Sequence, residues 1–208
     1  MLCFCMVKIL VVRRDELFKE QYFEGFKQLA EHDFISFILD NHLYEERGEA
    51  LENNPAYLQI IPYVWIVNPT RKEVFLYERG LGKGYQETRH VHRISGGVGG
   101  HIDYEEGVTN PILNSMMREL QEELLMDEYP EPEFIGYINV DKDMYNKVHF
   151  AIVGIAQTHH EIRPTDDGIA SGKFYSIAQA EALFADPAFE VEAWTALSWP
   201  SIKAFLEK

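Results

Sequence analysis

Cysteine is nearly absent from this 208-residue chain, which has only Cys3 and Cys5. A bridge between such near neighbours would close a tiny loop and constrain little. No disulfide framework or cysteine-based zinc site is therefore available, which points to a reducing, cytoplasmic setting. Basic residues are scarce as well: 19 Lys and Arg stand against 34 Asp and Glu, a formal charge of −15. That balance argues against wrapping a nucleic-acid backbone or lying on an anionic membrane. It leaves room for a phosphorylated small molecule that arrives with a cation. No apolar run approaches the roughly 20 residues needed to span a bilayer. The apolar opening MLCFCMVKILVV is interrupted by Lys8 and lacks both a basic lead-in and a small-residue cleavage site, so it reads as a first strand rather than a signal sequence. No Gly/Ser linker and no internal repeat divides the chain. What is present is a globular composition, 46% hydrophobic and 13% aromatic, enough for a sizeable core.

Several stretches read as strands: MVKILVVR at 6–13, then LQIIPYVWIVN and EVFLYER joined by the turn NPTRK as an antiparallel hairpin. EFIGYINVD and KVHFAIVGIAQT follow, and GKFYSIAQAEALFAD reads as a short strand turning into a helix. Residues 16–40 carry apolar positions at mixed helical spacing, and the terminal segment VEAWTALSWPSIKAFLEK reads as a helix interrupted before Pro200. Strands thus surround a central helix, which predicts a mixed α/β or α+β fold with helices on the faces of one sheet.

The central helix is the best-signalled element. In TNPILNSMMRELQEELLMD, Asn110 suits the N-cap and Pro111 the first helical position. Ile112, Leu113, Met116, Met117, Leu120 and Leu124 recur at three- and four-residue spacing. The same spacing brings Glu119, Glu122 and Glu123 onto one face, where like charges destabilise a bare helix by about 0.2–0.5 kcal/mol per pair. Arg118 can relieve Glu122, its i+4 neighbour. A hard divalent cation would relieve all three, since Mg²⁺ and Mn²⁺ prefer oxygen ligands. The plain alternative is a solvated acidic face. Just upstream, four glycines occupy five positions at 96–100, a run that needs unusual backbone angles or the close approach of another group.

Together, GGHIDYEEG and RELQEELLM resemble the Nudix box: Gly, five residues, Glu, seven residues, then Arg-Glu-apolar-any-Glu-Glu-any-Gly-apolar. Gly100 and Glu106 match its first half; Arg118, Glu119, Leu120, Glu122, Glu123 and Met126 match its second. The phrases QIIPY, GGVGGHID and KVHFAIVG further resemble a MutT-like bacterial subgroup of phosphoesterases that carries an N-terminal extension. The resemblance implies an α/β/α sandwich around a mixed sheet, with residues 1–57 as a strand-helix extension packed on a Nudix hydrolase domain at 58–208. Two departures stand out. Eleven residues separate Glu106 from Arg118 where the motif has seven, and Leu125 replaces the glycine that ends the helix, so the helix is expected to run on.

The resemblance implies hydrolysis of the diphosphate bond in a nucleoside diphosphate-X compound or a related phosphorylated small molecule. It makes Glu119, Glu122 and Glu123 ligands of Mg²⁺ or Mn²⁺, with a carbonyl of Gly99 or Gly100 as a further ligand and Arg118 bracing the carboxylates. Glu106, Glu161, Asp166, Asp167 or a box glutamate would serve as base. His101 and Arg93 are candidates for substrate contact, as are Lys83 and Arg89; His90 and His92 share a strand face but read better as solvent-facing, and His149 as a half-buried, satisfied histidine. Tyr63, Trp65 and Tyr77 read as core aromatics before base-stacking ones. The partner is nucleotide-like, with no nucleic acid, no membrane and a possible homodimer. The alternative is a non-catalytic nucleotide-binding or regulatory module, motivated by the lengthened loop and the lost glycine. Isomerase chemistry of a related branch needs a catalytic cysteine within the fold, which Cys3 and Cys5 do not offer. Substrate identity is expected to lie with segment 14–57 and the insertion 107–110.

Overall fold

The computed structural model describes residues 7–80, 93–165 and 168–208. Cys3, Cys5, Met6, Lys83, Arg89, His90, His92, Asp166 and Asp167 lie outside them. The chain begins with β1 (Lys8–Arg13), α1 (Arg14–Leu17), β2 (Gly25–Gln28), α2 (Phe34–Asn41), β3 (Leu43–Glu46) and α3 (Glu49–Glu52). It continues through β4 (Tyr57–Asn68), β5 (Glu73–Arg79), β6 (Arg93–Ser95), β7 (Gly97–Val98) and α4 (Pro111–Glu123). Then come β8 (Leu124–Leu125), β9 (Glu133–Asn139), α5 (Met144–Lys147), β10 (His149–Gln157) and β11 (Arg163–Pro164). Last are β12 (Ile169–Ser176), α6 (Ile177–Ala185), β13 (Glu190–Val191) and α7 (Ala193–Leu206).

One mixed sheet runs β13-β6-β5-β4-β10-β9-β2, with β1 and β7 also paired to β4 and β12 paired to β5. Its spine is β4, buried along almost its whole length. β4 pairs in parallel with β10, from His149↔Gln59 to Gln157↔Val67, and antiparallel with β5 across the 69–72 turn. Side chains alternate across such a strand. Ile60, Val64 and Ile66 therefore enter one core with Ile112, Met116 and Leu120 of α4, while Ile61, Tyr63, Trp65 and Val67 enter another with Trp194, Trp199 and Ile202 of α7. A strand buried on both faces reads as the continuous apolar run seen in the sequence. The result is an α/β/α sandwich around a mixed sheet, as expected.

β1 joins this sheet through β4 and carries β3 on its other edge. Its backbone also grips the loop after the glycine run: Leu10 N donates to Ile102 O at 2.8 Å, Tyr104 N donates to Lys8 O at 2.8 Å, and Ile9 bridges Asp103. The N-terminal segment thereby helps to fix the approach to α4.

Three expectations change. Residues 16–40 are not mainly helical: edge strand β2 interrupts them by pairing with β9, because a sheet edge lies open to Gly25–Gln28. The terminal helix is not interrupted at Pro200; α7 runs through it. Proline leaves the carbonyl four residues back without its helical donor. Here that residue, Ala196, is exposed like Pro200 itself, so solvent can satisfy the carbonyl. The helix bearing the glutamates does not run on past Leu125 either. It ends at Glu123, Leu124 is extended (φ −132°, ψ 136°), and Leu124–Leu125 pair with Arg163–Pro164. Tertiary pairing supplies the stop that a glycine would otherwise give. Among the described residues, no helix is long and apolar enough to cross a membrane.

Candidate active site

α4 starts as its sequence dictates. The Asn110 side chain accepts from Leu113 N at 3.1 Å and Pro111 takes the first turn. The four-residue lengthening is absorbed in the turn before it, where Gly107 adopts φ 84°. The far end is closed from outside the helix. Thr165 donates its backbone N–H to Glu123 O at 2.9 Å and its hydroxyl to Glu122 O at 2.6 Å. Both bonds satisfy carbonyls that a helix C-terminus leaves open.

Between these ends the carboxylates gather. Glu119 is 6% exposed and sits against the glycine segment. A Cβ on Gly100 would lie 2.7 Å from Glu119 Oε1, and one on Gly99 would lie 1.9 Å from Pro62 O. Neither glycine has a positive φ, so close approach rather than unusual backbone angles explains the run at these positions. Glu122 is exposed and Glu123 half-buried. Glu123 faces the same segment from the next turn: it helps to hold the Tyr77 pKa well above its ordinary value, an effect due first to burial and opposed by Arg79. Tyr77 in turn donates its hydroxyl to Gly97 O at 2.7 Å.

Arg118 is the brace. It donates to Glu119 Oε1 at 2.6 Å, to Glu122 Oε2 at 2.8 Å, to His101 O at 2.8 Å and to Ser115 Oγ at 3.3 Å. One guanidinium thus ties two carboxylates to the backbone just after Gly100. It does not offset all the negative charge. Burial raises the Glu119 pKa to about 7, with Glu122 and Asp103 adding to it while Arg118 opposes. Asp103 is an acid that its place in the sequence did not single out; β1 holds it near the cluster. All the side-chain donors here are carboxylate oxygens with backbone carbonyls beside them, a set that suits a hard divalent cation.

The other candidates fall elsewhere. Glu106 is exposed in the turn before α4, where its neighbour Glu105 accepts from Asn114 Nδ2 at 3.1 Å. Glu161 accepts from Arg71 Nη1 at 3.0 Å. Arg93 donates to Glu190 Oε1 at 2.6 Å and lines a cavity of about 750 Å³ together with Trp194 and Leu197 of α7, in which no α4 residue takes part. His101 is half-buried, its Nε2 2.7 Å from Gln59 Oε1 and its ring 5.6 Å from that of His149. His149 is satisfied as expected but buried rather than half-buried, its Nδ1 donating to Tyr145 O at 2.6 Å. Tyr63, Trp65 and Tyr77 are core aromatics. A smaller cavity, about 210 Å³, adjoins Arg118 and is lined by Tyr44, Asp103, Tyr104, Asn114 and Ser115 among others.

A sheet sandwiched between helices, with a glutamate-bearing helix packed against a glycine loop, is the architecture of the Nudix fold, and this chain has that fold. The solved structure of Tm1382, assigned as a Nudix hydrolase, superposes with a TM-score of 0.74 at 24% identity, over 95% of this chain and 98% of that one. A bifunctional NMN adenylyltransferase/ADP ribose pyrophosphatase from Francisella tularensis, solved with AMP and a Mn ion, matches with a TM-score of 0.50 at 12% identity. That match covers 72% of this chain and 42% of the bifunctional protein. No family model and no curated protein matches the sequence.

Proposed function

We propose that the protein is a divalent-cation-dependent hydrolase that cleaves the diphosphate bond of a nucleoside diphosphate-X compound or a related phosphorylated small molecule. The observation that carries this reading is Glu119, buried against Gly100 and tied by Arg118 to Glu122, with its pKa raised to about 7. A buried carboxylate with so much uncompensated negative charge around it is costly unless a cation completes the site. Glu119, Glu122 and Glu123, with the carbonyl of Gly99 or Gly100, would hold Mg²⁺ or Mn²⁺. Bound there, such an ion would neutralise charge on the diphosphate and lower the pKa of an attacking water.

The chain's own residues supply position and proton transfer. Arg118 fixes two carboxylates and the His101 carbonyl in one network, so it acts as a positioning residue. Thr165 locks the last turn, which holds Glu122 and Glu123 in register with Glu119. Phosphoryl transfer asks for little more than alignment and charge stabilisation. A carboxylate of this helix, or an acid of the 161–167 loop, would take the proton of the attacking water; Glu106 faces solvent and Glu161 accepts from Arg71. Tyr44 and Tyr104, in edge contact with ring centroids 5.0 Å apart beside Arg118, support a part for the N-terminal segment in choosing X. A panel of nucleoside diphosphate derivatives with Mg²⁺ or Mn²⁺ tests the proposal. Turnover that is lost in Glu122→Gln supports it. Ligand binding unaffected by that substitution, with no turnover by either form, would favour a binding module instead.

A further inference from the structure

We infer that Glu52, His101 and His149 form a second cation site, of a different chemical class from the carboxylate helix: an imidazole-rich site for Zn²⁺. One ligand-capable atom from each of the three lies within 4.8 Å of the others. They come from three separate parts of the chain: Glu52 from α3, His101 from the loop after the glycine run, His149 from the first position of β10. Residues 52, 101 and 149 are far apart in sequence, so no local pattern accounts for their meeting.

Their hydrogen bonds prepare the rings as ligands. The carbonyl of Tyr145 can only accept, so His149 Nδ1 carries the proton. Gln59 Oε1 likewise accepts from His101 Nε2, which leaves the lone pair on Nδ1. An outer partner on one ring nitrogen, with the other nitrogen offered to metal, is the usual arrangement of a metal-binding histidine. Gln59 adds an independent sign. Its side chain is fully buried, and its Nε2 has no hydrogen-bond partner among the described residues. An anion or water on the open position of a metal would give that amide an acceptor.

The ligand set selects the ion. Two imidazoles and one carboxylate suit Zn²⁺, with three protein ligands and one open position, far better than Mg²⁺. Tetrahedral zinc places its ligand atoms about 3.4 Å apart, so the present 4.8 Å limit requires closure by about 1.4 Å at most. Glu52 is half-buried, on a four-residue helix, and has the freedom to supply that movement. Occupancy would join the N-terminal segment to the sheet. It would also fix His101, whose carbonyl is held by the same Arg118 that braces Glu119 and Glu122.

The test uses the full chain stripped of metal and titrated with Zn²⁺ alone, read by calorimetry and by zinc content after gel filtration. One zinc per chain is expected, together with a higher melting temperature. His149→Gln and Glu52→Gln should each weaken uptake by about tenfold or more, while the double variant Glu119→Gln/Glu122→Gln keeps it. Glu52→Gln lies in a short outer helix, so a folded variant is in hand should His149→Gln fail to fold. No zinc uptake by the wild type, or uptake lost in the Glu119/Glu122 variant and kept in Glu52→Gln, overturns the inference. Neither result touches the hydrolase proposal, which rests on Mg²⁺- or Mn²⁺-dependent turnover.

Discussion

Replacing Glu119 by Gln should abolish turnover and yet stabilise the metal-free protein at alkaline pH. The residue is 6% exposed, and its pKa is raised from 4.5 to about 7, first by burial and then by Glu122 and Asp103 against the opposing pull of Arg118. The native state therefore holds this proton more tightly than the unfolded chain does. Below about pH 4.5 both states are protonated and the group costs nothing. Between about pH 4.5 and 7 the unfolded chain ionises first, and stability falls as pH rises. Above about pH 7 the full penalty is present, about 3 kcal/mol from the difference between the two pKa values. Glutamine keeps the shape and removes the charge, and the pull of Arg118 is already contained in the raised pKa. The clearer signal is the pH dependence: the decline in wild-type stability between pH 5 and 8 should be largely absent in the variant. Urea melts in chelator at both pH values measure it. An equal destabilisation of Glu119→Gln at pH 5 and pH 8 would show that the buried Glu119 charge carries no such penalty.

Three more outcomes follow from single contacts. Gly100→Ala places a Cβ 2.7 Å from Glu119 Oε1, so Glu119 or the loop must move; kcat/KM should fall by about 10²-fold, as for misplacement by an ångström, with a folded circular dichroism spectrum. Asn110→Ala removes the acceptor for Leu113 N and should cost about 1 kcal/mol in denaturant melts. Pro200→Ala restores a helical donor at an exposed position of α7 and should raise stability, by up to about 3 kcal/mol, in the same assay.

Local chemistry made α4 legible in the sequence. Asn110, Pro111 and the apolar spacing specify its start and its buried face, and Arg118 with its three glutamates marks the end at which that face becomes polar, Glu119 itself being buried. β4, β5 and β10 were legible because long runs of β-branched and aromatic residues leave little alternative. What escaped depended on partners remote in the chain. Nothing local distinguishes the phenylalanines around β2 from a helical face; the pairing of Gly25–Gln28 with β9 decides it. The end of α4 rests on Thr165 and on the pairing of Leu124–Leu125, which no helix-stop signal announces. Asp103 looks like any loop acid until β1 ties its backbone beside α4, and His101 and His149 look like two unrelated histidines until the parallel register of β4 and β10 sets His149 beside Gln59.

Glu119, Glu122 and Glu123 are proposed to hold the cation on which attack of water on the diphosphate would depend. Calorimetric titration of Mn²⁺ into chelator-treated wild type and Glu119→Gln/Glu122→Gln, paired with product analysis on the nucleoside diphosphate panel, tests it most directly. Mn²⁺ binding and phosphate-bearing products are expected for the wild type, and neither for the double variant. Equal Mn²⁺ affinity in both proteins, or turnover that survives the double substitution, would contradict it.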